Sequence, residues 1–537
     1  MATQSSIKLL EVCKVSPSSD SPYMGSAYED SLPLTFFDLL FFKTPPIEVL
    51  YFFSLTLSDC PCPFFESILP KLKHSLSLNL PHFLPLVGKI TWPPHAQKPI
   101  IHYTRNDVVS LTIAESNANV DYLFGHNVIE PKACSPLIPH LESSDSEASI
   151  LALQVTHFPN KGFCIGITGH HMVLDGKTMS LFLKSWASIC KLDNFRTAGT
   201  SLLPELTPII DRTLVKYPAT LDLVCINHML AVNGRSLKLV KLEIQADIGR
   251  ATFELSRANI EKLRKRVLSW WDKVDEEGKT KSSEAFHLST FVLTFAYIMV
   301  CVVKAKDAES NNKMVCFSFV AHDFRSRLDP PVPANYFGNC VGGGVVVAQA
   351  RKLMEEVGLA IAAYRISDRI KKMEKGVPDN DRAQKFIEMA TPEEPELDSY
   401  HPIMVTWSSK FGDYGMDFGW GRPKKVDITT VHKTKATSMV ESRNGSGGVE
   451  IGMVLKKDEM NHFLLSSSPA YKAFSPTLAE YATLGDYEET SSIKVDGEGL
   501  DIAKLWISQG TVSALSKRGI TKLFPIQGCS GTSNAKA

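Results

Sequence analysis

The sequence predicts a mixed α/β protein made of two α+β halves, and three observations support this fold class. The chain has 537 residues, which is enough for two or more domains with large cores. Short β-like runs alternate with amphipathic or apolar helical runs through most of its length. Residues 192–235 interrupt this pattern with poor periodicity and several prolines, as expected of a long crossover. We therefore predict domains at 1–191 and 236–467, joined by 192–235 and followed by an extra segment at 468–537.

The elements of the first half are predicted from alternation and apolar spacing. SIKLLEVCKV alternates like a first strand, and LPLTFFDLLFFK is an apolar segment with one embedded acid, Asp38. Residues 63–90 predict an amphipathic helix that ends near Pro81, then a strand toward Gly88. Three β-like runs follow, and residues 151–169 predict a hairpin that leads into a helix at 177–191. The three runs are PIIHYT, VVSLTIAES and SILALQVTHF.

The second half is predicted to alternate in the same way. Residues 257–274 predict a helix with Ile260, Leu263, Val267 and Trp270 on one face. A buried helix at 287–303 precedes a buried strand at 314–324, and 341–373 predicts a strand or loop that continues into a long helix. The other strand candidates are KLVKLEIQ, ATFELS, IMVTWSS, VDITTV, ATSMVES and GVEIGMVL.

Composition and charge indicate an ordinary globular protein. Lysine plus arginine and aspartate plus glutamate both number 58, so the formal net charge is zero, which argues against a nucleic acid or a membrane surface as partner. The apolar run at 291–303 is too short to span a bilayer, and the N-terminus does not resemble a signal peptide. The 11 cysteines are scattered without a complete zinc pattern. We therefore predict no metal, reduced thiols and a cytosolic location.

The stretch HHMVLDG, residues 170–176, is the first candidate site. It lies between the predicted hairpin and the helix at 177–191, so its side chains are expected to project from a rigid strand-to-helix turn. A neutral imidazole can take a proton from a hydroxyl group, which makes His171 a candidate base. Asp175, four residues on, could meet the imidazole on a continuous helix or brace the loop across a turn. The alternative is an ordinary turn with both histidines satisfied by backbone groups, since the pattern is short.

Two further stretches are unusual. DFGWG at 417–421 predicts a tight, rigid loop, with a glycine-rich turn around a packed tryptophan as the alternative. YFGNC at 336–340 follows HDFRSRLDPPVPAN. This segment combines two arginines with a proline-rich turn, which is unusual for an ordinary hydrophobic core. Each motif is uninformative alone, and it is the occurrence of all three in this order along the chain that is informative.

Together, the three motifs resemble the plant BAHD acyltransferases, which move an acyl group from coenzyme A to an alcohol or amine. YFGNC, LPLTFFDLLFF and RSRLDPPVPANYFGNC look like the clade that acylates flavonoid, anthocyanin and simple phenolic glucosides, often with malonyl-CoA. The resemblance covers residues 5–465. It implies two α/β domains of similar topology, with His171 near the middle of a solvent channel at their interface. Donor and acceptor would enter this channel from opposite faces, and the protein would act as a monomer.

The resemblance also implies roles for individual residues. His171 would be the general base, and Asp175 would hold the loop rather than relay protons. The coenzyme A thiolate leaves without a covalent acyl-enzyme, so acyl-CoA is a co-substrate and no cofactor is required. The Trp420 indole N–H, or a nearby backbone N–H, would stabilise the oxyanion. Asp417, Gly419 and Gly421 would shape that loop, and His170 would serve only in packing.

Donor recognition can be reasoned from charge. Malonyl-CoA carries a free carboxylate that acetyl-CoA lacks, so a malonyl-specific site needs a cation or several donors. Lys177, Arg325 and Arg327 are the candidates, with surface charges or structural ion pairs as the alternative. Arg325→Ala or Arg327→Ala should then weaken the use of malonyl-CoA more than that of acetyl-CoA. Further candidates for contacts with substrate or coenzyme A are Asn339 and the two lysines after DFGWG, Lys424 and Lys425, which could also be ordinary solvated strand-end lysines.

The segment after residue 467 does not fit the family pattern. Residues 489–527 resemble the stretch that leads into the Q motif of plant DEAD-box RNA helicases, where Gln527 would read adenine. No phosphate loop follows, so ATPase activity is not expected. We predict a poorly packed appendage from a gene fusion or a gene-model error, with one short helix near 509–518, whose deletion leaves acyl transfer intact. The competing functions are the same fold with acetyl- or hydroxycinnamoyl-CoA, and an RNA-binding helicase fragment.

Overall fold

The fold was obtained as a computed structural model. Among the residues it describes, no helix combines the length and the apolarity that crossing a bilayer requires. The predicted helix near 509–518 and Gln527 lie outside these residues, so the helicase-like interpretation stays a prediction. The described residues are 7–19, 29–55, 63–104, 106–124, 128–192, 202–218, 220–271, 287–306, 314–373, 403–467, 500–501 and 522–523.

The first half of the chain alternates strands with mostly short helices, as predicted. Its strands are β1 (Ile7–Val15), β2 (Glu29–Pro33), β3 (Ile47–Ser54), β4 (Lys89–Thr91), β5 (Ile100–Thr104), β6 (Val109–Ser116), β7 (Glu147–Ser149), β8 (Leu151–Phe158) and β9 (Gly162–Gly169). Its helices are α1 (Phe36–Leu39), α2 (Leu69–Asn79), α3 (Val120–Phe124), α4 (Gly176–Lys191) and α5 (Thr220–Asn233). A π turn at Phe64–Ile68 precedes α2, and 3₁₀ turns lie at Leu80–Leu86, Pro131–Leu137, Pro204–Leu206 and Arg212–Leu214.

The second half adds further strands and the longer helices. Its strands are β10 (Ile248–Leu255), β11 (Met314–Asp323), β12 (Val341–Gln349), β13 (Ile403–Thr406), β14 (Lys425–Ile428), β15 (Thr437–Glu441) and β16 (Val449–Lys456), and β17 (Leu500–Asp501) pairs with β18 (Lys522–Leu523). Its helices are α6 (Arg257–Trp271), α7 (Thr290–Ala305), α8 (Ala350–Met354), α9 (Gly358–Met373), α10 (Thr430–Thr434) and α11 (Lys457–Ser467). 3₁₀ turns lie at Arg325–Arg327 and Asp413–Gly415.

Four elements differ from the sequence prediction. The strand predicted toward Gly88 is a 3₁₀ turn at Leu80–Leu86, and β4 begins only at Lys89. KLVKLEIQ forms no strand: the Leu239 N–H donates to Ser143 Oγ at 3.0 Å, and the Lys238 N–H donates to Ser236 Oγ at 3.3 Å. The long crossover contains α5, a helix that its prolines did not indicate. The long helix predicted within 341–373 is divided into α8 and α9, because Glu355 has an extended backbone conformation that ends α8.

Two six-stranded mixed sheets form the frame of the molecule. The first has the order β1-β6-β8-β9-β3-β14, and the second has the order β10-β16-β15-β13-β11-β12. The predicted hairpin is confirmed, because β8 and β9 pair antiparallel from Leu151 opposite Gly169 to Phe158 opposite Gly162. Every residue of β9 is buried, as in a strand covered on both faces. A smaller sheet, β2-β5-β4-β7, lies beside this frame.

The second half contributes one strand to the first sheet. β14 pairs antiparallel with β3, with Lys425 opposite Phe52. From this strand, Lys425 Nζ lies 3.0 Å from Glu450 Oε2 on β16, and Asp427 Oδ1 lies 2.7 Å from Arg250 Nη2 on β10. Two buried ion pairs therefore tie the first sheet to the second, and the pairing of β14 with β3 joins the two halves of the chain.

Candidate active site

The candidate base lies in a tight turn between β9 and α4, as the sequence predicted. β9 ends at Gly169 and α4 begins at Gly176. Inside the turn, the His170 N–H donates to Ile150 O at 2.8 Å, and the Val173 N–H donates to His170 O at 2.9 Å. The turn is therefore bonded both to itself and to the start of β8, which holds its side chains in fixed positions.

The Asp175 side chain holds this turn in place. Its Oδ1 accepts a hydrogen bond from the Thr178 N–H at 2.8 Å and so caps the N-terminus of α4. Its Oδ2 lies 2.9 Å from Arg325 Nη2 and accepts from the Cys340 N–H at 3.2 Å. With 1% of its surface exposed, the carboxylate is committed to these contacts. They support the predicted bracing role rather than a proton relay.

The environment of the His171 ring suits a general base. Its half-buried ring stacks on Phe41, with ring centroids 4.0 Å apart and planes 6° apart. Burial lowers the pKa of His171 to about 4, outweighing the opposing effects of its own backbone carbonyl, Asp175 and Asn339. The imidazole is therefore neutral near pH 7 and able to accept a proton. Nδ1 is buried without a hydrogen-bond partner, so we assign the role of base to Nε2.

His170 has a different environment. It is 2% exposed, and its Nδ1 accepts a hydrogen bond from the Met172 N–H at 3.2 Å. Burial lowers the pKa of His170 to about 3. The side chain therefore packs as a neutral ring inside the turn, which supports its predicted structural role.

The cations predicted to bind the carboxylate of the acyl donor differ in burial. Arg325 is 1% exposed and lies between two carboxylates, Asp175 and Asp323, while its Nη2 also donates to Gly338 O at 2.9 Å. Its charge is already neutralised, so the geometry corrects its predicted role from donor recognition to support of Asp175. Lys177 is part-exposed and lies 2.8 Å from Asp323 Oδ2. Arg327 Nη1 donates to Asp323 O at 2.6 Å and the side chain is part-buried, so both remain candidates.

Asn339 does not face the substrate. It is fully buried, and its Nδ2 donates to Asp38 Oδ1 at 3.0 Å and to the backbone oxygen of His171 at 2.8 Å. Its predicted contact with substrate or coenzyme A is corrected, since both of its amide hydrogens are used inside the protein. Its partner Asp38 is the embedded acid of the first apolar segment, and Thr35 N–H and Arg212 also lie on that carboxylate. The presence of an acid inside such an apolar run was the sequence feature that could have indicated this buried contact.

The DFGWG loop lies at the far end of α4. Asp417 Oδ1 accepts from the N–H groups of Gly419 at 2.8 Å and Gly421 at 3.0 Å, so the loop is shaped as predicted. Its Oδ2 accepts from Lys191 Nζ at 2.6 Å. Lys191 is the last residue of the 16-residue α4, and a helix of that length places it about 24 Å from the first residue.

This separation corrects the predicted oxyanion role of Trp420. Its ring meets the edge of Phe163 with centroids 6.3 Å apart, and Phe163 is near the start of β9. His171 follows the other end of that strand, about 20 Å away at the usual rise per residue. The indole N–H therefore cannot reach a carbonyl held at His171. Lys425 is corrected as well, because it is 2% exposed and paired with Glu450.

The arrangement suits proton abstraction from a hydroxyl group. A neutral, part-exposed imidazole is held on a rigid turn, and a carboxylate and an amide fix the two ends of the turn. Within the described ranges, no group of three or more His, Cys, Asp or Glu side chains is arranged to hold a metal ion. Lys424 is exposed on the strand end after DFGWG, so its predicted contact with coenzyme A phosphates stays a prediction.

Comparisons with known proteins identify the family of the chain. Residues 14–467 match the model of the Transferase family. The chain is similar to phenolic glucoside malonyltransferase 1 of Arabidopsis thaliana, with 41% identity over 85% of this chain and 96% of that protein. It is similar to the malonyl-CoA:anthocyanidin 5-O-glucoside-6''-O-malonyltransferase of the same plant, with 38% identity over 86% of this chain and 97% of that protein. The fold resembles the crystal structure of vinorine synthase, with a TM-score of 0.60, 21% identity and coverage of 85% of this chain and 96% of that one. The chain therefore belongs to the plant BAHD acyltransferase family.

Proposed function

We propose that this acyltransferase moves the malonyl group of malonyl-CoA to a sugar hydroxyl of a phenolic, flavonoid or anthocyanin glucoside. The observation that carries the proposal is the neutral, part-exposed imidazole of His171 on its braced turn. The choice of donor and acceptor is supported by the relatives at 41% and 38% identity, whose names specify malonyl transfer to such glucosides.

The chemistry follows from one proton transfer in each direction. His171 Nε2 takes the proton of the sugar hydroxyl as its oxygen attacks the thioester carbonyl carbon. The tetrahedral intermediate collapses by breaking the carbon–sulfur bond, and the coenzyme A thiolate takes the proton back from the imidazolium. The ester and free coenzyme A are the products. Acyl-CoA is consumed as a co-substrate, and no acyl-enzyme is formed.

Recognition of the malonyl carboxylate needs a cation or several hydrogen-bond donors near the thioester. Lys177 and Arg327 are the predicted cations that the structure leaves at least partly exposed, and Lys177 lies in the first turn of α4, next to Asp175. Acetyl- and hydroxycinnamoyl-CoA would use the same base, so they are the alternatives for the donor. The cytosolic location and the monomeric state stay predictions.

The test is a matrix of donors and acceptors read by mass spectrometry. The purified protein is incubated with malonyl-, acetyl- and coumaroyl-CoA, each against a panel of simple phenolic, flavonol and anthocyanin glucosides. The expected product is a glucoside heavier by one malonyl group, absent with His171→Ala. Products formed only with acetyl- or coumaroyl-CoA would show that the donor is not malonyl-CoA. The absence of an acyl product with every pair would contradict the proposed function.

A further inference from the structure

Trp407, the first residue after β13, has an unusual backbone conformation. Its φ angle is 68°, in the left-handed region that a bulky side chain rarely adopts. The side chain is 5% exposed, and its Nε1 donates a hydrogen bond to Asp413 Oδ2 at 2.7 Å. Such a conformation persists only where the surroundings fix it, and it is most common at functional sites. The contacts of Trp407 therefore indicate what it holds in place.

The Asp413 carboxylate joins this tryptophan to the first half of the chain. It is fully buried, and its other oxygen accepts from Ser180 Oγ on α4 at 2.7 Å and from the Tyr51 hydroxyl on β3 at 3.3 Å. Burial raises the pKa of Asp413, and the three hydrogen bonds oppose this rise. One side chain thus connects the loop after β13 with a helix and a strand of the first half, so the indole of Trp407 is fixed relative to α4.

The ring of Trp407 packs on the backbone of Gly176, the first residue of α4. A Cβ atom at Gly176 would lie 2.9 Å from Trp407 Cζ3 and 2.8 Å from Phe411 Cε2, which is closer than non-bonded carbon atoms pack. Gly176 is helical, and in a helix alanine is otherwise favoured over glycine. The close approach of the two rings therefore explains the glycine, which lies directly after Asp175, the residue that holds the turn of His171.

The neighbouring strand holds the next residue of the helix. β11 and β13 pair in parallel, with Val320 opposite Thr406, so their carboxyl ends lie at the same edge of the second sheet. Asp323 ends β11, and its Oδ2 accepts from Lys177 Nζ at 2.8 Å. Gly176 and Lys177 are consecutive residues of α4, and each is held at the end of one of these two strands. The second sheet therefore contacts the first turn of α4 at two adjacent points.

We propose that Trp407 and Asp413 are positioning residues that set the place of the first turn of α4. The indole, fixed by the carboxylate, limits how closely Gly176 approaches the second sheet. Asp175 is the adjacent residue and braces the turn that carries His171, so the same contact sets where the imidazole lies relative to the second half of the chain. Neither positioning residue has to touch a substrate for this role. The effect on catalysis rests on the proposed acyl transfer, whereas the contact itself does not.

The contact can be measured without any substrate. In protein labelled with ¹⁵N-tryptophan, the indole N–H signal of Trp407 is assigned by its loss in Trp407→Phe. We expect slow exchange of this proton with water in the wild-type protein, and exchange faster by about tenfold or more in Asp413→Leu. Asp413→Asn should keep the slow exchange, because its amide oxygen can still accept from the indole while the hydroxyl groups of Ser180 and Tyr51 accept from its NH₂ group. A wild-type indole that exchanges as fast as free tryptophan would overturn the proposal, even if a variant failed to fold.

The effect on the rate is tested by a substitution that the helix itself favours. Gly176→Ala should lower kcat by about tenfold or more, while KM for malonyl-CoA changes by about threefold or less, because the methyl group pushes the first turn of α4 away from the ring. Trp407→Gly removes the ring and should lower kcat by itself. In the Trp407→Gly background, the same alanine should change kcat by about twofold or less, because the indole atoms that it would meet are gone and the part-exposed Phe411 ring has room to turn.

Trp92→Phe is the matched control for the loss of an indole hydrogen bond. The Trp92 indole N–H donates to Ala96 O at 3.2 Å, a backbone oxygen in the segment after β4, rather than to Asp413. This variant should keep the wild-type kcat and the slow exchange of the Trp407 indole. Wild-type kcat in folded Gly176→Ala or Trp407→Gly, or an equal loss from the alanine with and without Trp407, would overturn the proposal. A protein with the slow exchange but without acyl transfer would contradict only the proposed function.

Discussion

Replacing Arg325 by methionine removes the cation that lies on the Asp175 carboxylate. Both side chains are almost completely buried, at 1% exposure each, and their charged atoms lie 2.9 Å apart. Without the guanidinium, Asp175 keeps two N–H donors but remains a buried carboxylate without its cation. Removal of one partner of a buried ion pair costs about 3–5 kcal/mol, and we expect Arg325→Met to lower the free energy of unfolding by that amount. Methionine keeps most of the length of the side chain, so lost packing contributes little.

The same variant tests what the arginine does for catalysis. If Arg325 only holds the turn, a displaced His171 should lower kcat/KM by about 10²-fold with malonyl-CoA and equally with acetyl-CoA. Urea unfolding gives the stability, and initial rates with the two donors give the ratio. Arg327→Met is the matched control, because this half-buried guanidinium contacts a backbone oxygen rather than the Asp175 carboxylate, and its loss of stability should be smaller.

A double-mutant cycle isolates the pair itself. Asp175→Asn keeps an oxygen that can accept from the Thr178 N–H but removes the charge that Arg325 neutralises. The double variant should therefore be more stable than the sum of the two single changes predicts, by about 1–3 kcal/mol. A loss confined to malonyl-CoA, with unchanged stability in Arg325→Met, would show that this arginine meets the donor carboxylate and would refute the reasoning.

Four other predictions follow from the structure. Since burial lowers the pKa of His171 to about 4 and the base works only when neutral, kcat/KM should stay high as pH falls and drop only near pH 4; a midpoint near 6.5 would contradict this. The stability gained from burying this ring neutral should be complete above pH 6.5 and lost as pH falls toward 4, which unfolding measured across that range checks. Arg250→Met should cost about 3–5 kcal/mol in urea unfolding by removing the guanidinium partner of the buried Asp427, with kcat/KM unchanged in the folded fraction. Trp420→Phe should keep kcat within about twofold, whereas loss of an oxyanion donor would lower it by 10²-fold or more.

Local sequence patterns were sufficient to predict the position of a helix or strand wherever one face of that element is buried. The four apolar residues predicted on one face of α6 are all buried, and the β8–β9 hairpin and α4 lie where their periodicity placed them. The pattern failed for KLVKLEIQ, whose alternation suits a strand but which pairs with no described strand. Strand formation depends on such partners, which lie far away in sequence. The helix α5 was missed because Pro204, Pro208 and Pro218 dominate the segment before it begins at Thr220.

For the site, the sequence located the base and its brace but not the partners of the cations. Arg325 and Arg327 are two residues apart and look equivalent in the sequence, yet only the first lies between two carboxylates. The DFGWG motif suggested a contribution to catalysis, but its loop lies at the opposite end of α4 from His171. The amide of Asn339 was expected at the substrate and instead lies behind the base. Such distances depend on how two sheets pack, and local composition does not encode them.

The central claim is that His171 carries acyl transfer from malonyl-CoA to a glucoside hydroxyl. The most direct measurement is the initial rate of malonyl-glucoside formation by the wild-type protein and by His171→Ala, with circular dichroism to show that both are folded. Removal of a general base should reduce the rate by about 10²- to 10⁴-fold while the variant stays folded. A folded His171→Ala that forms the malonyl ester at the wild-type rate would contradict the account.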